Sequence, residues 1–135
     1  MNRIVGTMAM ARQVKSKYHS KKVSNSNGEF DSVREYRRYL TLKSREASGD
    51  IEMLERQVKY VLIPTQREPD TIGKRGGIKK GKVIERECTY IADFRYYDNK
   101  RGCIVVEDCK GFRTKDYKIK KKLMLYMHGI RVEES

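Results

Sequence analysis

The sequence predicts an α/β domain built on a mixed sheet with helices on its faces. Three observations predict it. Two stretches, 33–48 and 114–128, carry helical periodicity, the first opening on a capping residue and both closing on glycine. Around them lie alternating apolar runs bounded by Pro, Gly, Asn and Asp, which read as strands. The order hairpin, helix, three strands, helix, strand interleaves the two kinds of element, as one layered α/β domain does.

Residues 1–16 read as a flexible basic arm and 17–135 as a single domain; residues 1–28 hold six Lys or Arg and no acid. Tyr18 to Val23 reads as a strand, Asn25-Ser26-Asn27-Gly28 as a turn, and Glu29-Phe30 as the returning limb of an N-terminal β-hairpin. Ser32 is the N-cap of the first helix, whose predicted buried stripe is Val33, Tyr36, Leu40 and Ala47, with Gly49 as its stop. Leu54 to Ile63 alternates as a strand, with Val58, Tyr60 and Leu62 on one face and Pro64 at its end. Residues 65–82 hold four glycines, six Lys or Arg and two acids, and read as a flexible basic loop or the tip of a long hairpin. A strand over 83–97, a turn over 98–102 and a short apolar strand over 103–110 follow, the last predicted to be central. Thr114 to His128 is the second helix, with Ile119, Leu123 and Tyr126 predicted to be buried. Gly129 ends it, and Ile130 to Val132 is the last strand. No internal repeat is present.

A length of 135 residues suits one domain, and 38% hydrophobic content suffices for one core. There is no run of 18 apolar residues, so no membrane-spanning helix is expected, and Ile4 to Ala11 is too short and mixed for a secretory signal. Cys88, Cys103 and Cys109 are odd in number and lack CxxC spacing, which argues against a zinc site or a disulfide framework. The expectation is a cytoplasmic protein with no membrane partner. A net charge of +13 calls for a polyanionic partner, nucleic acid first. The candidate phosphate contacts are Lys15 and Lys17 in the arm, Lys74, Arg75, Lys79 and Lys80 in the basic loop, and Lys118, Lys120, Lys121 and Lys122 around the second helix. The competing explanation for the lysine run is a solvated helix face.

The chemistry concentrates in Tyr90-Ile91-Ala92-Asp93-Phe94 and in Val105 to Gly111. Strand side chains alternate, so Asp108 and Lys110 share a face and Glu107 takes the other. If the strands pair, Asp93 joins Asp108 and Lys110. Two carboxylates and an ammonium at one spot can hold a divalent metal and position a water, and in so basic a chain the fitting substrate is a phosphodiester. For Asp93 the rival role is a salt bridge within the sheet. For Glu35 it is the capping box Ser32-x-x-Glu35, which needs no metal and is compatible with a place beside the site. His19 and His128 are far apart, and no Ser–His or Cys–His pairing is evident.

These residues resemble the PD-(D/E)xK nuclease superfamily. Asp93 stands for its first acid, Asp108-Cys109-Lys110 for its (Asp/Glu)-x-Lys, and Glu35 for the additional acid on the first helix. The chain is most similar to small phage-encoded, previously uncharacterised proteins related to Holliday-junction resolvases. Phe30-Asp31-Ser32 with Glu35, Tyr90 to Phe94, Glu107 to Gly111, and Lys120 with Lys122 carry the likeness, across roughly residues 17 to 133. Ala92 replaces the proline of the superfamily name. The resemblance implies a restriction-endonuclease-like core and catalytic Glu35, Asp93, Asp108 and Lys110. It also implies Mg²⁺ on Asp93, Asp108 and Glu35, with Mn²⁺ able to substitute. The implied activity is that of a magnesium-dependent DNA endonuclease, and the resemblance does not say which DNA structure is cut. The first expectation within that class is a resolvase of branched or junction DNA acting as a homodimer, because a symmetric junction needs two paired cuts, in the host cytoplasm if phage-encoded. A nicking or restriction-type endonuclease and a non-catalytic nucleic-acid-binding protein fit the same residues.

Overall fold

The computed structural model describes residues 21–135. The predicted arm 1–16 with Lys15, and Lys17, Tyr18 and His19 beyond it, lie outside the described residues. The first hairpin pairs β1 (Val23–Asn25) with β2 (Gly28–Phe30), so its first strand begins where the predicted one ended. Gly28 takes φ 118° at the turn, a value that favours glycine.

Helix α1 (Val33–Ala47) starts as predicted, with Ser32 Oγ accepting the Glu35 amide at 3.1 Å. Its buried face is not the predicted one. Leu42 is fully buried and Tyr39 packs beside it, whereas Leu40 is 45% exposed and Val33 is also exposed. The inward stripe runs Glu35, Arg38, Tyr39, Leu42, with Glu35 and Leu42 buried and Arg38 and Tyr39 half-buried, and two of those four are charged. An apolar periodicity search therefore selects the wrong side of the helix.

Strand β3 (Ile51–Ile63) begins three residues earlier than predicted, beyond an irregularity at Met53 where φ is 54°. Of the two readings of the basic segment 65–82, the loop and the long hairpin, the structure shows the hairpin. Strand β4 (Gln66–Arg67) pairs with β7 (Val83–Glu85), and β5 (Thr71–Ile72) pairs with β6 (Ile78–Lys79). The chain thus makes a long antiparallel hairpin arm between β3 and β8 (Cys88–Asp98). The predicted strand 83–97 is split there into β7 and β8.

Strand β9 (Cys103–Asp108) stops two residues before its predicted end at Lys110. Helix α2 (Lys115–His128) has Thr114 as N-cap and Gly129 as a left-handed C-cap, φ 66°. It buries Tyr117 and Met124, with Leu123 half-buried. Ile119 and Tyr126, predicted to be inside, are 57% and 85% exposed. Strand β10 (Glu133–Glu134) lies just beyond the predicted last strand, and Val132 is a core residue.

The central sheet has the order β10-β9-β8-β3, antiparallel except for the parallel β10–β9 pair, so β9 and β8 are its inner strands. Leu42 of α1 packs with Ile51, Phe94, Tyr96 and Val105. Tyr117 and Met124 of α2 pack with Leu62, Tyr90, Ala92 and Val106. Val105 and Val106 are sequence neighbours in different clusters, so α1 and α2 cover opposite faces. Among the described residues no helix is long and apolar enough to cross a membrane.

The two leucines of α1 separate the predicted face from the observed one. Leu42→Ala should cost about 2–5 kcal/mol of unfolding free energy, as for a fully buried leucine, and Leu40→Ala less than about 1. Urea unfolding measures both; equal losses would mean that the helix docks by its other side.

Candidate active site

Asp93 lies in mid-strand on β8, and Asp108 ends the neighbouring β9. In the register of that pair Phe94 faces Glu107, so Asp93 and Asp108 come at the next level, just past the end of the β8–β9 ladder. The alternation of β9 sends its two adjacent acids to opposite faces. Glu107 is buried against α1, where the Arg38 guanidinium donates to both its oxygens, at 2.9 and 2.6 Å. Asp108 is buried on the α2 side. Its Oδ2 accepts the Tyr90 hydroxyl at 2.5 Å and lies 3.1 Å from the Lys110 ammonium. Its Oδ1 is buried, and among the described residues no N–H or hydroxyl donor reaches it. Lys110 sits two residues past the strand end, and its ammonium also rests 4.6 Å from the centre of the Tyr117 ring.

Asp93 is held by the Cys109 amide, which donates to its Oδ2 at 2.8 Å. Burial, and then Asp108 as a hydrogen-bonding and like-charged neighbour, push the Asp93 pKa far above the carboxylate range. At neutral pH the metal-free pair therefore holds a proton. Glu35 contributes to the same field from α1, and burial raises its pKa as well. Both Glu35 oxygens are engaged: Oε2 accepts the Asp31 amide at 3.0 Å and Oε1 accepts the Gln57 amide nitrogen at 2.9 Å. The predicted capping box forms with one change, since Glu35 reaches back to Asp31 rather than to the N-cap residue itself.

A cleft of about 430 Å³ opens over this group, lined by Asp31, Ser32, Glu35, Asp93, Lys110 and Gly111. A second, of about 300 Å³, is lined by Tyr90, Lys110, Thr114, Tyr117 and Lys120. Lys110 borders both, and Lys120 is the α2 lysine beside it. Lys121 is instead paired with Glu134 at 2.6 Å, while Lys118 and Lys122 are exposed. Lys74, Arg75, Lys79 and Lys80 lie out on the hairpin arm and border neither cleft.

Tyr90, Gln57 and the Cys109 amide have no assigned role in the sequence reading. Tyr90 gave no local signal, because the acid it donates to, Asp108, lies on the neighbouring strand. Gln57 gave no signal: it takes φ 52°, left-handed for a residue with a side chain, at the level of Asp93 between the pairs Arg56–Phe94 and Val58–Ala92. At that level β8 also changes sides, since Ala92 packs with the α2 cluster and Phe94 with the α1 cluster.

Among the described residues no group of three or more His, Cys, Asp or Glu side chains is arranged to hold a metal ion. A magnesium site does not need such a cage, because one or two carboxylates suffice when substrate phosphate and water complete the shell. Asp93 and Asp108 fit that smaller set: a half-buried and a buried carboxyl lie close enough to raise the pKa of Asp93, no N–H or hydroxyl donor among the described residues reaches Asp108 Oδ1, and a cation can take the place of the proton. Glu35, with both oxygens committed, fits as a neighbour that adds negative field.

Residues 15–132 match a family described as "Protein of unknown function (DUF1064)". No curated protein and no solved structure matches the chain.

The raised Asp93 pKa has a defined sign in stability. The folded protein binds this proton more tightly than the unfolded chain, so the contribution is fully present below about pH 4 and is lost as pH rises toward about 9. Asp93→Asn should therefore be more stable than wild type in EDTA at pH 8, with the difference shrinking toward pH 4. Thermal melts across that range measure it. A variant less stable at every pH would contradict the shared proton.

Proposed function

The chain belongs to the DUF1064 family, and for it we propose a divalent-cation-dependent endonuclease that hydrolyses DNA phosphodiester bonds, with branched DNA such as a four-way junction as substrate. The observation that carries this reading is the clustering of Asp93, Asp108 and Lys110 in a chain of net charge +13, with Asp93 and Lys110 lining a cleft and Asp108 buried against Lys110. The mixed four-stranded sheet with a helix on each face is compatible with the restriction-endonuclease-like core that the resemblance implies.

Asp93 and Asp108 would hold Mg²⁺, or Mn²⁺ in its place. The cation supplies Lewis acidity toward the phosphate and the attacking water. The protein's own groups do the rest. The Cys109 amide and the Tyr90 hydroxyl fix the two carboxyls in place. Hydrolysis forms one P–O bond to water and breaks one to a sugar oxygen, and negative charge grows on the non-bridging oxygens. The Lys110 ammonium, at the border of both clefts, stabilises that charge. Lys120 holds a neighbouring phosphate from α2. Glu35 keeps the helix start and Gln57 against the site.

A symmetric junction needs two paired cuts, which a two-fold homodimer supplies. The exposed Ile119 and Tyr126 of α2 offer apolar surface for that pairing. Work on DNA places the protein inside the cell, where its three cysteines stay reduced. A nicking or restriction-type enzyme would use the same cleft on linear duplex. A non-catalytic binder would keep the acids as structural groups.

Labelled four-way, flap and linear duplex DNA separate these readings. In Mg²⁺ the wild type should cut the four-way junction. Asp93→Asn and Asp108→Asn should bind it and leave it uncut, and Lys110→Ala should cut about a hundredfold more slowly. Full cleavage by the two Asn variants would remove the site. Binding without cleavage by the wild type would leave the non-catalytic reading.

A further inference from the structure

The hairpin arm carries a feature that phosphate binding alone does not explain. At its end, Gly73 accepts the Gly76 amide at 3.0 Å and donates to the Gly77 carbonyl at 2.7 Å, so Lys74 and Arg75 form the apex. Directly beneath them Ile72 and Ile78 are cross-strand partners, 82% and 83% exposed. Two large aliphatic side chains held together in water, at the tip of a projecting ribbon, mark a contact surface.

The charge around them is one-sided. Residues 71–82 contain five cations (Lys74, Arg75, Lys79, Lys80, Lys82) and no acid, whereas Glu68, Asp70, Glu85 and Glu87 lie toward the base. None of the five makes an ion pair among the described residues. The arm is also shaped by a close crossing rather than left loose. A Cβ on Gly81 would come within 1.8 Å of the Glu68 carbonyl oxygen. The Gly81 amide donates to Asp70 Oδ1 at 2.9 Å, and Arg67 donates to the Gly81 carbonyl at 3.1 Å.

We propose that this arm grips DNA and lodges the Ile72–Ile78 pair against bases at a break in the helical stack, while its cations hold the flanking phosphates. A two-stranded ribbon fits a DNA groove. Apolar wedges flanked by Lys and Arg enter base steps, and the entry is easiest where stacking is already broken, as at a branch point. A second copy of the chain would set five cations against five, so the tip is not a self-association surface. The chain runs 15 residues from Ile78 to Asp93. In strand that is a reach of up to about 50 Å, enough to engage DNA a helical turn from the phosphate at the cleft.

The inference rests on the DNA reading of the protein but not on cleavage, and binding in EDTA tests it separately. The probe is a four-way junction with 2-aminopurine at the branch point, beside a linear duplex of the same sequence. The full-length wild type should raise the junction fluorescence. Ile72→Ser with Ile78→Ser should abolish the rise and weaken junction binding about tenfold, with linear-duplex affinity and salt dependence unchanged. Ile72→Val with Ile78→Val should keep the rise. Lys79→Gln with Lys80→Gln should instead flatten log K against log salt by up to about two on both DNAs. A fluorescence rise unchanged in the double-serine variant would overturn the proposal. So would a double-serine defect in sedimentation or in binding to phosphatidylserine vesicles with junction binding intact, since the tip would then serve a protein or a membrane. Unstacking without any cleavage in Mg²⁺ would uphold the arm and sink the nuclease; cleavage without unstacking would do the reverse.

Discussion

Two adjacent carboxylates, Glu107 and Asp108, are buried at the end of an inner strand, and much of the structure answers that constraint. A buried charge is costly unless it is paired and hydrogen-bonded. The strand sends the two acids to opposite faces, so each must be met by a different part of the fold. Arg38 meets Glu107 through a two-point bond and thereby sets how α1 lies on its face of the sheet. Tyr90 and Lys110 meet Asp108 on the α2 face but leave one of its oxygens with no N–H or hydroxyl donor among the described residues. The first acid is fully compensated and structural. The second is under-compensated, and that is the physical difference between a scaffold carboxylate and a candidate ligand.

Asp93 sharpens the contrast. It occupies the level just past the end of the β8–β9 ladder, at which β8 turns its alternate residues from one helix to the other and Gln57 on β3 takes a left-handed backbone angle. Irregular backbone of this kind lowers stability and persists where the surroundings enforce it, commonly at functional sites. Here it lets a mid-strand acid reach its neighbour on β9 at an open cleft rather than be sealed beneath a helix. The like-charged pair so formed disfavours the metal-free, fully ionised state. A bound cation would relieve that repulsion, which ties a cost in stability to a capacity for binding.

The sequence was informative where a rule of local geometry applied. Strand alternation separates Glu107 from Asp108 and places Lys110 with the latter, and the Ser32 cap fixes the start of the first helix. It failed where tertiary partners override local pattern. The inward stripe of α1 includes Glu35 and Arg38, each satisfied by groups distant in sequence, so the apolar residues Val33 and Leu40 point the wrong way. On α2, Ile119 and Tyr126 have the right spacing for a core stripe and face outward, while Tyr117 and Met124 fill the core. Segment 65–82 left a loop and a long hairpin both open, because its glycines and lysines have weak strand propensity, and the hairpin is what forms. Its ladders come from the length of the β3–β8 pairing and from the tight crossing at Gly81. The left-handed angle at Gln57 left no trace in composition.

The proposed chemistry requires Asp93 and Asp108 to form a divalent-cation site. Titration of the purified protein with Mn²⁺ in the absence of DNA, followed by the loss of the free-ion electron paramagnetic resonance signal, addresses it directly. Wild type should take up Mn²⁺, Mg²⁺ should compete for the same site, and Asp93→Asn and Asp108→Asn should each abolish uptake while remaining folded. Uptake by both folded variants equal to that of wild type, or none by the wild type at millimolar ion, would contradict the account.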